Sequence, residues 1–156
     1  MSSATDDVAR ALADAGVAGQ IRTLDSSART AALAAEQLGV PVGAIANSLV
    51  FDADGDPLLV MTSGAHRVDT ILLAQTLGKQ SIKRADADFV RQHTGQVIGG
   101  VAPVGHPSQL RTVVDTALAN YPTLWAAGGH PHAVFPTTYA ELVRITSGAE
   151  LPVARD

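Results

Sequence analysis

Three places where polar or glycine residues interrupt strongly apolar segments are the candidates for chemistry in this 156-residue chain: Asn47 in AIANSLVF (44–51), the loop GGVAPVG (99–105) and GGHPH (128–132). An asparagine carries two N–H donors and a carbonyl oxygen with two lone pairs, and each one left unpaired in an interior costs about 1–3 kcal/mol. In a strand, Asn47 shares the oilier face with Ile45, Leu49 and Phe51. Either a core partner satisfies the amide, or that face opens into a pocket. In the second place, Gly99 and Gly100 allow a ligand to approach backbone N–H groups closely, while Pro103 stiffens the loop and removes one donor. The same residues suit a plain turn. The loop has neither the GK[ST] of a P-loop nor the spacing of a dinucleotide fingerprint, so phosphate cradling is not its signature.

In the third place, His130 and His132 at i, i+2 would share one face of a strand, but no third ligand has suitable spacing, so no metal site is expected. His130 reads better as a polar wall or rim of a pocket. The chain contains no cysteine, which excludes disulfides, thiolate metal sites and cysteine nucleophiles. No GxSxG elbow is present, which argues against a covalent serine mechanism. No cofactor is implied. The formal charge of −4 disfavours broad nucleic-acid binding of the kind that neutralises many phosphates, and DNA is not an expected partner. A local basic patch remains open at KQSIKR, with Lys79, Lys83 and Arg84; the alternative is a solvated edge strand.

These residues need elements to hold them. With 46% apolar and 17% charged residues the chain is not disordered, and 14 glycines with 8 prolines point to many turns rather than a helical bundle. The length suits one domain over 1–156. The acidic N-terminus lacks the basic start of a secretory signal, and no apolar run is long enough to span a bilayer, so a cytoplasmic protein with no membrane partner is expected.

Patterning predicts a helix over 3–15 closed by Gly16, a strand in IRTL, and a helix over 28–38 capped by Ser26 or Ser27 and ended by Gly39. The strand bearing Asn47 and LLVMTS flank DADGDP, an Asp-Gly hairpin signal. Asp69 opens and Gly78 closes a further helix. SIKRA is a short strand, and a helix starts at Asp86 and Asp88 and stops at Gly95. QVIGGVAPVGHP reads as a strand entering a loop, and Pro107 as the first turn of a long helix with Leu110, Val113, Val114, Ala117 and Leu118 in one stripe. Two strands around 128–131, a helix in TTYAELVRIT and an edge strand in ELPVA complete the chain. The fold class is α/β (α+β), a mixed, curved, barrel-like sheet with helices packed outside.

The runs GVPVGAIANSLVF, LLVMTSGAHRVD, VIGGVAPVGHP and AAGGHPHAVFPTTYAELVRITSG resemble, in order and spacing, the YbaK and prolyl-tRNA synthetase-associated editing domains, over roughly residues 20 to 150. These domains are aminoacyl-tRNA deacylases. The resemblance implies a pocket for the amino acid esterified to the 3′ end of tRNA, lined by a Gly-x-x-x-Pro loop that matches Gly99-Gly100-Val101-Ala102-Pro103. It also implies a water-driven hydrolysis, helped by the substrate's own ribose hydroxyl and backbone donors, that needs no protein nucleophile. Many relatives read KSLVF where this chain has Asn47, and their lysine is thought to position the tRNA end. Asn47 can bond a ribose hydroxyl or ester carbonyl but brings no charge. On this resemblance the catalytic candidates are Asn47 and Gly100, and the substrate-binding candidates are Ile45, Met61, Gly99, Val101, Ala102, Pro103 and His130. The expected function is trans-acting deacylation of mischarged tRNA in translation quality control. The alternative is a regulatory module that binds without turnover.

Overall fold

The computed structural model describes residues 4–25 and 30–154. The Asp-Gly signal forms the hairpin it predicts, because Asp54 and Gly55 both take positive φ, 53° and 95°, which matches the twist of the flanking strands. The hairpin strands β2 (Ile45–Ala53) and β3 (Asp56–Ser63) follow β1 (Arg22–Thr23) and pair in full register, Asn47 lying opposite Thr62. The remaining strands are β4 (Ile82–Arg84), β5 (Arg111–Asp115), β6 (Leu124–Ala127), β7 (Ala133–Thr137) and β8 (Ala149–Leu151). Their order in the sheet is β1-β7-β6-β2-β3-β5-β8, with β4 added beside β2. Parallel pairs (β2 with β6, β3 with β5, β5 with β8) mix with antiparallel ones. The sheet is thus mixed and curved, and it stays open: β1 and β8 are edges and do not meet to close a barrel.

Among the described residues five α-helices cover it: α1 (Ala4–Asp14), α2 (Ala31–Leu38), α3 (Thr70–Leu77), α4 (Ala87–Thr94) and α5 (Tyr139–Thr146). The side chains of Asp69 and Asp86 cap α3 and α4 by accepting from Leu72 and Phe89 N–H, as their positions predicted. For α2, Ser26 and Ser27 lie outside the described residues, and within them the cap is Thr30, whose hydroxyl accepts from Leu33 N–H at 3.1 Å. One sheet face packs Leu59, Met61, Val114 and Phe135 against Val8 and Leu12 of α1, Val90 of α4 and Leu142 of α5. On the other face Phe51, Leu58, Val60 and Val113 pack against Leu73 of α3, and a third cluster joins Ile45 to Ala34 and Ala35 of α2. Among the described residues no helix is long and apolar enough to cross a membrane.

Two expected elements are replaced. The helix from Pro107 does not form: 111–115 is the buried strand β5, and Thr116–Asn120 is a 3-10 helix capped by Asp115. Leu110, Val113, Val114 and Leu118 are all buried as expected, but β5 packs Val114 into one core cluster and Val113 into the other, and a strand covered on both faces is apolar on both and mimics a helical stripe. The β-branched run Thr112-Val113-Val114 favours the strand. The strand expected at the start of QVIGGVAPVGHP is likewise absent, for a reason that belongs to the site.

Candidate functional site

Strand β2 changes neighbours along one edge. Ile45 and Ala46 pair with Trp125 and Ala126 of β6, whereas Phe51, Asp52 and Ala53 pair with β4. Between them, among the described residues, Asn47 to Leu49 have no strand on that side, and the next carbonyl, Val50, accepts from Ala85 N–H at 3.3 Å. Ile45 is covered by α2, and Phe51 and Leu49 by the α3 cluster, so Asn47 falls in the gap between two helices and is exposed. The choice between a satisfied core amide and an open face is settled for the open face. Three cavities meet at Asn47, with volumes of about 290, 150 and 490 Å³.

The 290 Å³ cavity lies between Ala31 and Ala34 of α2, Ile45 and Asn47 of β2, Trp125 of β6, and a wall made by Gly99, Val101 and Pro131. That wall is held by Gln96, only 2% exposed, whose Oε1 accepts from Ala102 N–H at 2.7 Å and whose Nε2 donates to Val104 O at 3.3 Å. The Thr94 hydroxyl accepts from Gln96 N–H at 2.9 Å, and His106 Nε2 donates to Ala102 O at 2.8 Å. Burial, only partly offset by this bond, pushes the His106 pKa below its ordinary 6.5, so the imidazole is held neutral. The backbone at 96–98 is engaged locally instead of in a ladder: the Thr94 hydroxyl bonds both Gln96 N–H and Gln96 O, and Gly100 N–H donates to Val97 O at 3.0 Å, a turn in place of the expected strand. Gly100 packs directly on the backbone of His130 and Pro131.

Of the residues singled out in the sequence, Ile45, Asn47, Gly99 and Val101 line this one cavity. Gly100 is buried behind the wall, and Ala102 is fully buried with its backbone engaged by Gln96 and His106. Met61 is not brought to the site: it is fully buried in the core, its sulfur taking the Ser48 hydroxyl at 3.2 Å. Pro103 faces a different cavity, with His106, Gln109 and Thr146. His130 is exposed beside Gly100, its Nδ1 accepting from His132 N–H at 3.2 Å, and its neighbour Pro131 is the residue lining the cavity. Among the described residues no three His, Cys, Asp or Glu side chains are grouped to hold a metal ion.

The 490 Å³ cavity adds residues that spacing alone did not single out as site residues: His66, Arg67 and Thr70, together with Arg84. Arg84 stands opposite Phe51 and Lys83 opposite Asp52, so the two project to opposite faces, and only Arg84 faces Asn47's side. The Arg84 guanidinium lies 6.0 Å from the centre of the Phe51 ring. Lys79 sits 3.9 Å from the Asp56 carboxylate. The basic stretch is therefore split three ways. Behind the cavity, Asp115 is 1% exposed and accepts from Ser63 N–H, Ala117 N–H, the Thr62 hydroxyl and His66 Nδ1. A lone carboxylate closing an apolar run was the only trace of this in the sequence.

The sequence profile of the aminoacyl-tRNA editing domain matches residues 25–145. Among curated proteins the chain is 30% identical to the uncharacterized protein YwhH of Bacillus subtilis, over 78% of each chain. It is also 30% identical to a proline–tRNA ligase of Geobacter sulfurreducens, over 74% of this chain but only 22% of the ligase. Among solved structures, a protein described as a candidate trans-editing enzyme for prolyl-tRNA synthetase superposes with a TM-score of 0.93 at 36% identity, covering 100% of this chain and 99% of the other. The chain belongs to the aminoacyl-tRNA editing domain family.

Proposed function

We propose that the chain is a trans-acting deacylase that hydrolyses the ester of mischarged tRNA, receiving the aminoacyl group in the 290 Å³ cavity and the terminal adenosine across Asn47. The observation that carries this reading is the break in the β2 edge. There, backbone that no strand pairs among the described residues, an exposed amide and the Gly99–Val101 wall enclose a space suited to a small amino acid. Backbone donors in such a place can stabilise the oxyanion while water attacks. The likeness to a candidate trans-editing enzyme and to part of a proline–tRNA ligase supports the same substrate class. The test is hydrolysis of a panel of tRNAs, each carrying a small noncognate amino acid, with hydrolysis above the spontaneous rate expected for at least one.

The second reading, a module that binds without turnover, rests on the resemblance to the family, which implies a lysine at the position where this chain has Asn47. Positive charge is not absent from the neighbourhood, since Arg84 lines two of the cavities that meet at Asn47. Because Asn47 is exposed, Asn47→Ala is expected to leave the melting temperature unchanged while weakening substrate binding by about 1–2 kcal/mol, the worth of one or two neutral hydrogen bonds. Asn47→Lys is expected to raise single-turnover hydrolysis, with no loss of stability. A drop in melting temperature in both variants would remove Asn47 from the binding surface.

The split of the basic residues gives a separate expectation. Arg84→Ala should weaken tRNA binding and reduce the slope of log affinity against log salt by about one unit, as loss of one phosphate contact does. Lys83→Ala, on the opposite face, should leave the slope unchanged. Equal effects of the two would place the tRNA across the β4 edge instead of in the cleft.

A further inference from the structure

We propose that the break in the β2 edge is a slot for a single residue, in which the aminoacyl group of the substrate pairs with the backbone of Ser48 as a strand would and is recognised by its free α-ammonium. The inference rests on the deacylase reading and narrows its substrate class to esters of amino acids whose amine is unblocked.

In an extended strand the N–H and C=O of one residue point to one edge, and those of the next residue to the other. Ile45 O faces β3, where it accepts from Gly64 N–H at 2.8 Å, and Val50 O faces the broken edge, where it accepts from Ala85 N–H at 3.3 Å. Ser48 lies two residues before Val50, so its N–H and C=O face the break. The ladder to β6 stops with Ala46 opposite Ala126, because Gly128 N–H donates to Ala133 O at 2.7 Å and turns the chain into β7. On the far side, Ala85 is followed by Asp86, which caps α4 and leads the chain away. Among the described residues nothing bonds the Ser48 N–H or C=O, while the Ser48 hydroxyl is engaged with the Met61 sulfur at 3.2 Å. Ser48 is only 9% exposed and borders both the 290 and the 150 Å³ cavities, so a partner reaches its backbone through them. Backbone groups so enclosed call for a partner, because each one left without costs free energy.

From Ala46 to Val50 the edge runs about 13 Å, room for one paired residue between two closed ends. An antiparallel pair of this kind exchanges two hydrogen bonds with a single residue. An aminoacyl ester supplies both halves: its α-ammonium donates to Ser48 O, and its carbonyl oxygen accepts from Ser48 N–H. The substrate side chain then lies on the Ser48 face of the sheet, where Ala46 and Val101 line the 290 Å³ cavity. When water adds to the carbonyl carbon, the carbonyl electron pair moves onto the oxygen that Ser48 N–H holds, so the bond strengthens as charge develops. The bond from that carbon to the ribose oxygen then breaks. One proton of the water ends on the ribose oxygen and the other is released as the carboxylate forms, giving the free amino acid and tRNA.

The test makes the same exchange, nitrogen for oxygen, on each side of the pair, with the mischarged tRNA that the wild type hydrolyses fastest. On the substrate side, the amino acid is replaced by its α-hydroxy analogue, equal in size but without the ammonium. The acceleration over spontaneous hydrolysis should fall about tenfold, the difference between a charge-assisted and a neutral hydrogen bond. On the protein side, Ser48 is replaced by its α-hydroxy acid in a semisynthetic chain, which puts an ester oxygen where the N–H stood and keeps the side chain. This protein should melt within a few degrees of the wild type, since the N–H lost has no partner in the fold, and single-turnover hydrolysis should fall about 100-fold or more, as on removal of one oxyanion donor. An active wild type that accelerates both substrates equally overturns the pairing and leaves the deacylase reading standing, whether or not the semisynthetic protein folds. So does a folded semisynthetic protein with the wild-type rate. A wild type that hydrolyses none of the panel overturns both.

Discussion

Asp115→Ala is expected to destabilise the protein by about 3–5 kcal/mol, the range for removing one partner from a buried charged network, and to lower its melting temperature by roughly 10 °C. The carboxylate is almost wholly buried and accepts from four donors: Ser63 N–H, Ala117 N–H, the Thr62 hydroxyl and His66 Nδ1. Each donor stranded without water costs about 1–3 kcal/mol. The loss also uncaps the 3-10 helix Thr116–Asn120, whose start depends on the 3.0 Å bond from Ala117. Thermal melts of the two proteins decide the matter, and a difference of less than about 3 °C would show that the cluster relaxes and rehydrates at little cost.

Gly100→Val should abolish turnover by moving the cavity wall. A Cβ built at Gly100 would lie 2.6 Å from the His130 carbonyl carbon, 2.7 Å from the Pro131 nitrogen and 2.8 Å from His130 Cα. All three are backbone atoms, so no side chain can swing aside to make room. The loop over 97–103 or the turn over 128–131 must withdraw, and Gly99, Val101 and Pro131 of the aminoacyl cavity move with them. A displacement near 1 Å costs about 100-fold in a positioned reaction. The same collision should reduce stability by about 1–3 kcal/mol, so the variant folds with a lower melting temperature. Gly100→Ala carries the same Cβ and should show most of both effects. Full activity in either variant would mean that the contact between the two turns does not shape the site.

How much of this was legible in the sequence follows from how local each signal is. Asp54-Gly55 needs only its own backbone to form the hairpin, and Asp69, Gly78, Asp86 and Gly95 bound their helices through bonds that span a few residues. These elements lie where their residue types place them. The glycine wall and Asn47 could be picked out as interruptions of apolar runs, and two of the wall residues do line the cavity with Asn47 and Ile45. The segment over 107–118 misled because β5 lies between β3 and β8 and is apolar on both faces, a circumstance that its own periodicity cannot report. The sequence by itself determined the caps of α3 and α4, the hairpin, the absence of any thiol and the family. Only the tertiary structure decided that Met61 faces the core, that Pro103 faces another cavity, that Lys83 and Arg84 diverge, and that His66 meets Asp115 across 49 positions of chain. The physical reason is that burial and hydrogen-bond partnership at those positions depend on which strands become neighbours. The exchange of β6 for β4 along the edge of β2 is a contact between segments far apart in the chain, and no local pattern at Asn47 encodes it.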